Sequence, residues 1–468
     1  GRLPQEWKTG DITPIFKKGN KKEPSNYRPV SLTSVAGKVM ESMIRDAVVN
    51  HMRNNNLFTA HQHGFLPGRS TTTQLLECLD EWTEWLDDDQ PVDSIYLDFQ
   101  KAFDSVPIKR LIAKIESYGI KGQLLQWIVS FLNERKQRVC VNGARSSWAP
   151  VTSGVPQGSV LGPVLFTLFV NDMPEVVSSK LKLFADDTKL YRTVREPMEC
   201  QLLQDDLNRL QEWAISWQLK FHPSKCTVLR IGSKHPDFTY HMMDHTSKPV
   251  YLESSSHEKD LGITTDRDLS FEKHVTLAIS KANKMAGLLW RTFSHIDNVM
   301  FVTLYKSLVR PHLEYGAPIW SPGTWKMVDM VENVQRRATK RVPGLRDLTY
   351  EERLRTLKLP TLLYRRLRGD LINTFKYAHG LFDTAPCIPE IQSEARTRGH
   401  SLRLTRTFTK TNRRLLFFKH RVVPWWNRLP EEVINAPSVN AFKARFDRYM
   451  EVHPVKYNHR ALEHPHKP

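Results

Sequence analysis

Three carboxylates frame the chemistry this sequence could do. Asp98 ends the apolar run Ser94-Ile95-Tyr96-Leu97, and Asp186-Asp187 stand between two alternating stretches, 181–185 and 188–191, that read as a hairpin. An acid at the end of a buried strand needs a counter-charge. With the two segments side by side, the acids would meet and repel unless a cation sat between them. Mg2+ suits such a site, because it takes oxygen ligands and keeps positions open for phosphate oxygens. Two Mg2+ ions ~3.5–4 Å apart would clamp the attacking and leaving oxygens of an in-line phosphoryl transfer, with Mn2+ as the alternative. Each signal alone has an ordinary reading: an Asp-Asp pair fits a surface turn, and Asp98 fits a cap for the segment after it.

The elements that must position these acids are legible in outline. Short extended pieces, 11–16 and 30–32, flank a basic turn, Lys17-Lys18-Gly19-Asn20-Lys21-Lys22. Helical periodicity follows, with Val35, Val39, Met43 and Ala47 beside Met40, Ile44 and Val48 as one apolar stripe. Ser70 is an N-cap for a helix through Leu75, Leu79, Trp82 and Leu86, which ends at Asp87-Asp88-Asp89 and Pro91. Residues 94–99 read as a buried strand. Ser105 and Pro107 open a helix that stops at Gly119, and another runs through Leu124, Trp127, Ile128 and Phe131. Asn142-Gly143 signals a two-residue hairpin between 138–141 and 146–148. A helix over about 199–218 carries Leu203, Leu207, Leu210, Trp213 and Trp217; a strand follows at 227–231, and helices dominate from about 271. Strands and helices mix irregularly up to about residue 265, an α+β pattern and not a repeated βαβ one.

The chain has 468 residues, with 68 Lys or Arg against 50 Asp or Glu. That length allows about three domains. A content of 40% hydrophobic and 25% charged residues excludes a long disordered chain. The longest uncharged apolar stretch, 160–170, is broken by Gly162-Pro163 and falls short of the ~20 residues that span a bilayer, so no membrane partner is expected. No signal-peptide pattern opens the sequence, and its start at Gly1 fits a piece of a longer protein. The 5 cysteines lie far apart without a C-x-x-C spacing, which argues against a zinc knuckle or disulfide framework and for thiols in a reducing compartment.

Charge is uneven. Residues 331–468 hold 28 basic and 13 acidic residues, a net +15, which leaves +3 of the total +18 for the rest. This asymmetry fits either a polyanionic partner or a solvated surface. Between Glu394 and Glu431 there is no acid, while Arg396, Arg398, Arg403, Arg406, Lys410, Arg413, Arg414, Lys419, Arg421 and Arg428 alternate with Phe417, Phe418, Trp425 and Trp426. Phosphate contact with base stacking is available there. The reading adopted places the aromatics in the core of a small helical domain and the cations on nucleic acid. Residues 381–394, with Pro386 and Pro389, show no helical pattern and read as a linker.

Tyr96-Leu97-Asp98-Phe99-Gln100-Lys101-Ala102-Phe103-Asp104, Gly154-Val155-Pro156-Gln157-Gly158-Ser159 and Phe184-Ala185-Asp186-Asp187 resemble three successive polymerase motifs. The resemblance is to reverse transcriptases of non-LTR (LINE-type) retrotransposons of the jockey-like group. Asn26-Tyr27-Arg28-Pro29-Val30-Ser31-Leu32 and Gly64-Phe65-Leu66-Pro67-Gly68-Arg69-Ser70-Thr71 resemble that group's two upstream fingers blocks. Order and spacing agree across about residues 1–265, and the five blocks together are specific where each alone is not. Leu308-Val309-Arg310-Pro311-His312-Leu313-Glu314-Tyr315 and Trp425-Trp426-Asn427-Arg428-Leu429-Pro430 resemble the C-terminal region of such elements.

The resemblance implies an α+β right-hand polymerase with an antiparallel palm sheet: fingers and palm in 1–265, a helical thumb in 266–345, and a mainly helical, basic nucleic-acid-binding region in 346–468. It assigns Asp98, Asp186 and Asp187 as metal ligands, with the Phe99 carbonyl as an extra. Phe103 stands at the steric gate that excludes a 2′-hydroxyl, or is a core Phe in a helix-start turn. Gln157 and Gly158 match the loop against the incoming nucleotide, and Lys17 and Arg28 match fingers cations that contact the triphosphate. Lys225 matches a palm lysine able to protonate the leaving pyrophosphate, or is a solvated surface lysine. His222 and Cys226 beside it depart from the Asn and Thr usual in the family. Leu261-Gly262 resembles the hairpin that grips the primer. Arg403, Arg406, Arg413, Arg414, Lys419 and Arg421 would help hold template RNA or target DNA.

The implied activity is that of an RNA-directed DNA polymerase, extending a primer 3′-hydroxyl with dNTPs on template RNA in target-primed reverse transcription. Such a protein would be intracellular and work in the nucleus, at the site of synthesis. The family's upstream endonuclease has no counterpart here and no ribonuclease H motif set is evident, so nicking is expected from a missing upstream part or another protein. The alternative is a catalytically inactive retroelement-derived protein that binds nucleic acid, although drift would not spare Asp98, Asp186, Asp187, Gln157 and Phe103 specifically. A palm nucleotidyltransferase that needs no template is a third reading, opposed by the fingers blocks and the basic C-terminal part.

Overall fold

The structure, a computed structural model, describes residues 3–293, 295–392 and 399–464. The chain forms two compact units. One comprises residues up to Ser70, Asp93–Val228 and Pro236–Ser254; the other comprises Thr71–Val92, Leu229–His235 and the chain from Ser255 onward.

In the first unit, β1 (Thr9–Phe16) and β2 (Tyr27–Leu32) pair antiparallel, with Ile15 opposite Arg28 and Phe16 opposite Tyr27. The next element, α1 (Val35–Asn54), begins at Ser34, whose hydroxyl accepts from the Gly37 N–H. Strand β3 (Val92–Leu97) is followed by α2 (Ile108–Ser117) and α3 (Gly122–Leu132). β4 (Lys136–Val141) and β5 (Ala144–Arg145) close over Asn142 and Gly143, both in the left-handed region that a two-residue hairpin demands. β4 also runs parallel to β1, where Arg138 meets Asp11 at 2.7 Å and holds that carboxyl below its usual range.

Helix α4 (Gly162–Phe169) leads to the antiparallel hairpin of β6 (Lys180–Phe184) and β7 (Asp187–Thr193), then α5 (Pro197–Ser216) and β8 (Thr227–Ile231). Strands β8, β3, β7 and β6 lie side by side in that order. The α+β class and antiparallel pairing are therefore as expected, and the second unit is mainly helical.

Two devices fix α4. Residues Val164 to Phe169 are all buried, as suits a helix apolar all round. This is the 160–170 stretch; among the described residues no helix is long and apolar enough to cross a membrane. At its start the buried Glu41 of α1 accepts from the Val160 and Leu161 N–H groups at 2.7 and 3.0 Å. At its end the Lys114 ammonium donates to the Phe169 carbonyl at 2.6 Å and to Asp172 at 2.7 Å, over the Trp217 ring. An anion at the N-terminus and a cation at the C-terminus both complement the helix dipole.

The stripe expected on α1 divides into two rows. Met40 and Ile44 pack against the core and Val48 is fully buried, whereas Val35, Val39 and Met43 are 79%, 56% and 62% exposed. Both rows fit helical spacing, so periodicity alone does not choose between them.

In the second unit, the hairpin β9 (His257–Asp260) and β10 (Ile263–Asp266) precedes long helices over Glu272–Thr292, Trp325–Lys340 and Leu362–Ala378. The helix Thr71–Asp87 belongs here as well. Phe418 and Trp426 are fully buried, and Phe375 stacks on Phe442 at 4.5 Å, so these aromatics are core. The expected linker at 381–394 is in part packed: Cys387 and Ile388 are buried, and the Cys387 thiol lies 3.7 Å from the Leu76 carbonyl. The end of that stretch lies outside the described residues, as do Arg396 and Arg398 beyond it. No cysteine forms a disulfide among the described residues.

Candidate active site

β3 carries two acids with different environments. Asp93 is buried and accepts from the Tyr240 hydroxyl at 2.8 Å; burial first, and then the Asp93 charge, drive the Tyr240 pKa up. Asp98 stands just past the strand end, its side chain 47% exposed. Its backbone is fixed by the neighbouring segment: His222 N–H donates to the Asp98 carbonyl at 2.8 Å, and the Phe99 ring stacks on Phe221 at 4.3 Å. The Lys225 ammonium lies 3.2 Å from Asp98 Oδ2.

Asp186 occupies the two-residue turn Ala185-Asp186, since Phe184 of β6 pairs with Asp187 of β7. β7 lies beside β3, and the charge of Asp98 reaches Asp186. Burial pushes the Asp186 pKa up first and the like charge of Asp98 pushes it further, against the pull of Arg28 and Lys17. Lys225 is thus paired with Asp98, and Asp98, Arg28 and Lys17 all act electrostatically on Asp186. Of the basic turn, Lys17 is the lysine whose charge reaches both Asp186 and Asp104.

The three acids expected as metal ligands, Asp98, Asp186 and Asp187, do not stand as one metal-holding group. Among the described residues, no group of three or more His, Cys, Asp or Glu side chains is arranged to hold a metal ion. Asp187 follows Asp186 directly and begins β7 with an exposed side chain. The chemistry of the donors still fits a divalent cation: Asp186, whose pKa is raised by burial and by the charge of Asp98, would be relieved by a hard cation.

The loop expected against a nucleotide is built on the first motif. Val155 N–H donates to the Phe103 carbonyl at 2.8 Å, and Gln157 Nε2 donates to Asp104 Oδ1 at 3.0 Å. On its other side, Ser31 N–H donates to the Gln157 carbonyl at 2.7 Å. Gly154 and Gly158 are both left-handed, and a Cβ on either would come within 2.7 Å of a backbone oxygen, of Asp104 and Ser31 respectively. Asp104 was not among the expected site residues, though it sits inside the quoted motif. Burial raises its pKa against the Gln157 amide and the charges of Lys101 and Lys17. Glu41 was likewise unexpected, because an acid in a helical stripe reads as solvated surface.

Phe103 is half-buried, its ring stacked on Phe166 at 4.6 Å. One face therefore packs, which leaves the gate and packing readings to be separated by experiment. Phe103→Ala is expected to raise ribonucleotide use relative to deoxynucleotide use by about tenfold or more, the scale of one removed steric contact. Unchanged sugar selectivity in single-nucleotide extension would return Phe103 to packing alone.

Leu261 and Gly262 form the turn between β9 and β10, both at positive φ. The Tyr315 hydroxyl donates to the Leu261 carbonyl at 2.7 Å, joining two motifs quoted separately from the sequence.

Several cations of the basic segment are engaged within the fold and not held out to nucleic acid as expected. Arg421 is buried, with its Nε 2.9 Å from Asp370 Oδ2 and its Nη2 2.7 Å from the Pro318 carbonyl. Arg414 is buried against Asp80 at 2.6 Å, and Lys419 reaches the same carboxylate at 2.8 Å. Lys410 and Thr411 N–H groups cap the Asp87 carboxylate at 2.9 and 2.7 Å. Arg414, Lys419 and Arg421 therefore neutralise acids within their own unit and do not present an open charge to phosphate. Arg406 is exposed and Arg403 and Arg413 are half-buried, so these three stay candidates for nucleic acid.

The family described as "Reverse transcriptase (RNA-dependent DNA polymerase)" matches residues 16–262. The chain is 32% identical over 378 residues to a probable RNA-directed DNA polymerase from transposon X-element of Drosophila melanogaster, covering 77% of this chain and 40% of that protein. It is 29% identical over 359 residues to the RNA-directed DNA polymerase from mobile element jockey of the same organism, covering 74% and 38%. The chain thus spans about two fifths of the length of these curated relatives. Among solved structures, a telomerase from Candida albicans in complex with a fragment of telomeric RNA aligns with a TM-score of 0.41 at 11% identity, over 74% of this chain and 65% of that one.

Proposed function

The chain belongs to the reverse transcriptase family, and from that premise we propose that it extends a primer 3′-hydroxyl on an RNA template with dNTPs, as the polymerase of a jockey-like non-LTR retrotransposon. The observation that carries the reading is the convergence of Asp98 and Asp186 at the ends of adjacent elements, within the field of Arg28 and Lys17. In this reading Arg28 and Lys17 receive the triphosphate, and Arg28 can chelate its oxygens in a fork. The Gln157-Gly158 loop, fixed between Ser31 and Asp104, forms a backbone wall against the base and sugar. Phe103 closes that wall on the 2′ side.

Reverse transcriptases use divalent metal ions; here we propose a pair of Mg2+, held by Asp98 and Asp186 with Asp187 and the Phe99 carbonyl, which would lower the pKa of the 3′-hydroxyl and neutralise the triphosphate. Lys225, paired with Asp98, supplies a proton near the leaving pyrophosphate. Residues 1–265 serve as fingers and palm, 266–345 as thumb and 346–468 as a nucleic-acid-binding region. Arg403, Arg406 and Arg413 contact template RNA or target DNA, and β9–β10 grips the primer. The reaction takes place in the nucleus on nicked target DNA, with the nick made by an upstream part of the protein or by another protein.

Primer extension with an RNA template, dNTPs and Mg2+ tests the reading. Template-dependent product is expected. Tight binding without product would support a catalytically inactive nucleic-acid-binding protein, and product without template would support a template-independent nucleotidyltransferase.

A further inference from the structure

The segment before the second fingers block reaches the acidic turn. Residues 61–63 run beside β6: Leu183 N–H donates to the His61 carbonyl at 2.9 Å, His63 N–H donates to the Leu183 carbonyl at 2.8 Å, and Gln62 bridges Leu183 in parallel. Gln62 is fully buried. Its Oε1 accepts from Ala185 N–H at 3.0 Å and from Gly64 N–H at 2.8 Å. Both neighbours are N–H donors, so the amide oxygen must be the atom that faces them.

Ala185 directly precedes Asp186 and sits at φ +56°, a conformation that residues with a Cβ rarely take. Such a turn persists only where its surroundings over-determine it. Three contacts do so here. The Gln62 oxygen holds the Ala185 N–H. Gly64 lies so close that a Cβ on it would stand 2.6 Å from the Ala185 nitrogen. Arg69 Nη1 anchors the segment from behind, donating to the Thr59 and Gln62 carbonyls at 2.8 and 2.7 Å.

The other end of the amide argues for a use beyond packing. Gln62 Nε2 is buried without a hydrogen-bond partner among the described residues, an arrangement that costs stability. A buried polar group kept at a cost to the fold is expected where geometry at a functional site depends on it.

We propose that Gln62 is a positioning residue for the carboxylate site: its amide oxygen locks the Ala185 turn and so aims Asp186 at Asp98 and at a divalent cation between them. The inference rests on the reading of that site as a metal-dependent polymerase centre. It assigns Gln62 no contact with substrate, only control of the backbone that carries Asp186. Loss of the oxygen leaves a buried Ala185 N–H unpaired, and the turn relaxes toward an ordinary conformation with the Asp186 side chain displaced.

The test is Mn2+ binding, followed by electron paramagnetic resonance on the full chain with template–primer, alongside the Mg2+ dependence of extension. Gln62→Met keeps the length of the side chain and removes the acceptor. Its Mn2+ dissociation constant is expected to rise about tenfold, the scale seen when a metal ligand loses its outer support. The Mg2+ concentration for half-maximal extension should rise in parallel, with template–primer affinity unchanged. Adding Ala185→Gly, which makes the left-handed turn easy without a clamp, should restore part of the Mn2+ affinity. A folded Gln62→Met protein with the parent's Mn2+ isotherm would overturn the proposal.

Should Gln62→Met not fold, Gly64→Ala decides, since its Cβ pushes the same turn: weaker Mn2+ binding supports the proposal and an unchanged isotherm overturns it. Failure of both variants to fold would also overturn it, because a positioning role leaves a folded protein with misplaced acids. An unaltered chain without saturable Mn2+ binding would sink the metal reading itself, a result seen before any substitution and so distinct from a failure of Gln62.

Discussion

Asp186→Asn is expected to lower template-dependent extension at least about a thousandfold, equivalent to ~4 kcal/mol of transition-state stabilisation. The amide matches the carboxylate in shape but carries no charge, so the neighbours of the turn keep their packing while the site loses one of its two interacting acids. Affinity for template–primer should stay within about twofold, because phosphate contacts from Lys and Arg dominate such binding and none of them changes.

Stability should move the other way. In the folded chain burial and Asp98 raise the Asp186 pKa, so without divalent ions its ionised form opposes folding at neutral pH, and that cost fades as pH falls through the folded value. Asp186→Asn removes the cost, and in chelator the variant is expected to melt no lower than the parent. Extension at the parental rate would refute the ligand assignment. Lost extension together with a markedly lower melting point would instead point to a structural role for Asp186.

The parts of this site that were legible from sequence are those whose signal is local. Residues 94–99 read as a strand because apolar and β-branched residues precede Asp98, and β3 covers most of that span. The 138–148 hairpin was legible because Asn142-Gly143 is among the few pairs that accept two left-handed residues. What escaped depends on partners distant in the chain. The acid that Arg414 pairs with, Asp80, is 334 residues away, so no local pattern distinguishes that guanidinium from Arg413 beside it. The Val35 and Met40 rows of α1 are equally periodic, and only packing decides which faces the core. Gln62 reads as a polar surface residue until the chain brings it beneath Ala185. Family resemblance pointed to the carboxylates but not to the Gln62 contact beneath the turn that carries Asp186.

Arg421→Met is expected to destabilise the second unit by about 3–5 kcal/mol, the cost of leaving a buried carboxylate without its partner. Arg421 reaches both oxygens of Asp370, at 2.9 and 3.1 Å, and both residues are buried, so water cannot replace the guanidinium. Burial already raises the Asp370 pKa, and Arg421 is the first influence opposing that rise. At about 2–4 °C per kcal/mol for a unit of this size, the melting point should fall by roughly 6–20 °C. Arg421→Met with Asp370→Leu should recover part of the loss, since replacing a buried ion pair by apolar groups is often neutral, while the buried Arg366 loses the Asp370 charge beside it. Arg406→Ala gives the contrasting result: no change in melting, weaker RNA binding, and a salt dependence shallower by about one phosphate contact. If Arg421→Met instead melted with the parent and lost RNA affinity, its guanidinium would belong to the nucleic-acid surface after all, and the basic segment would bind through its full row of cations.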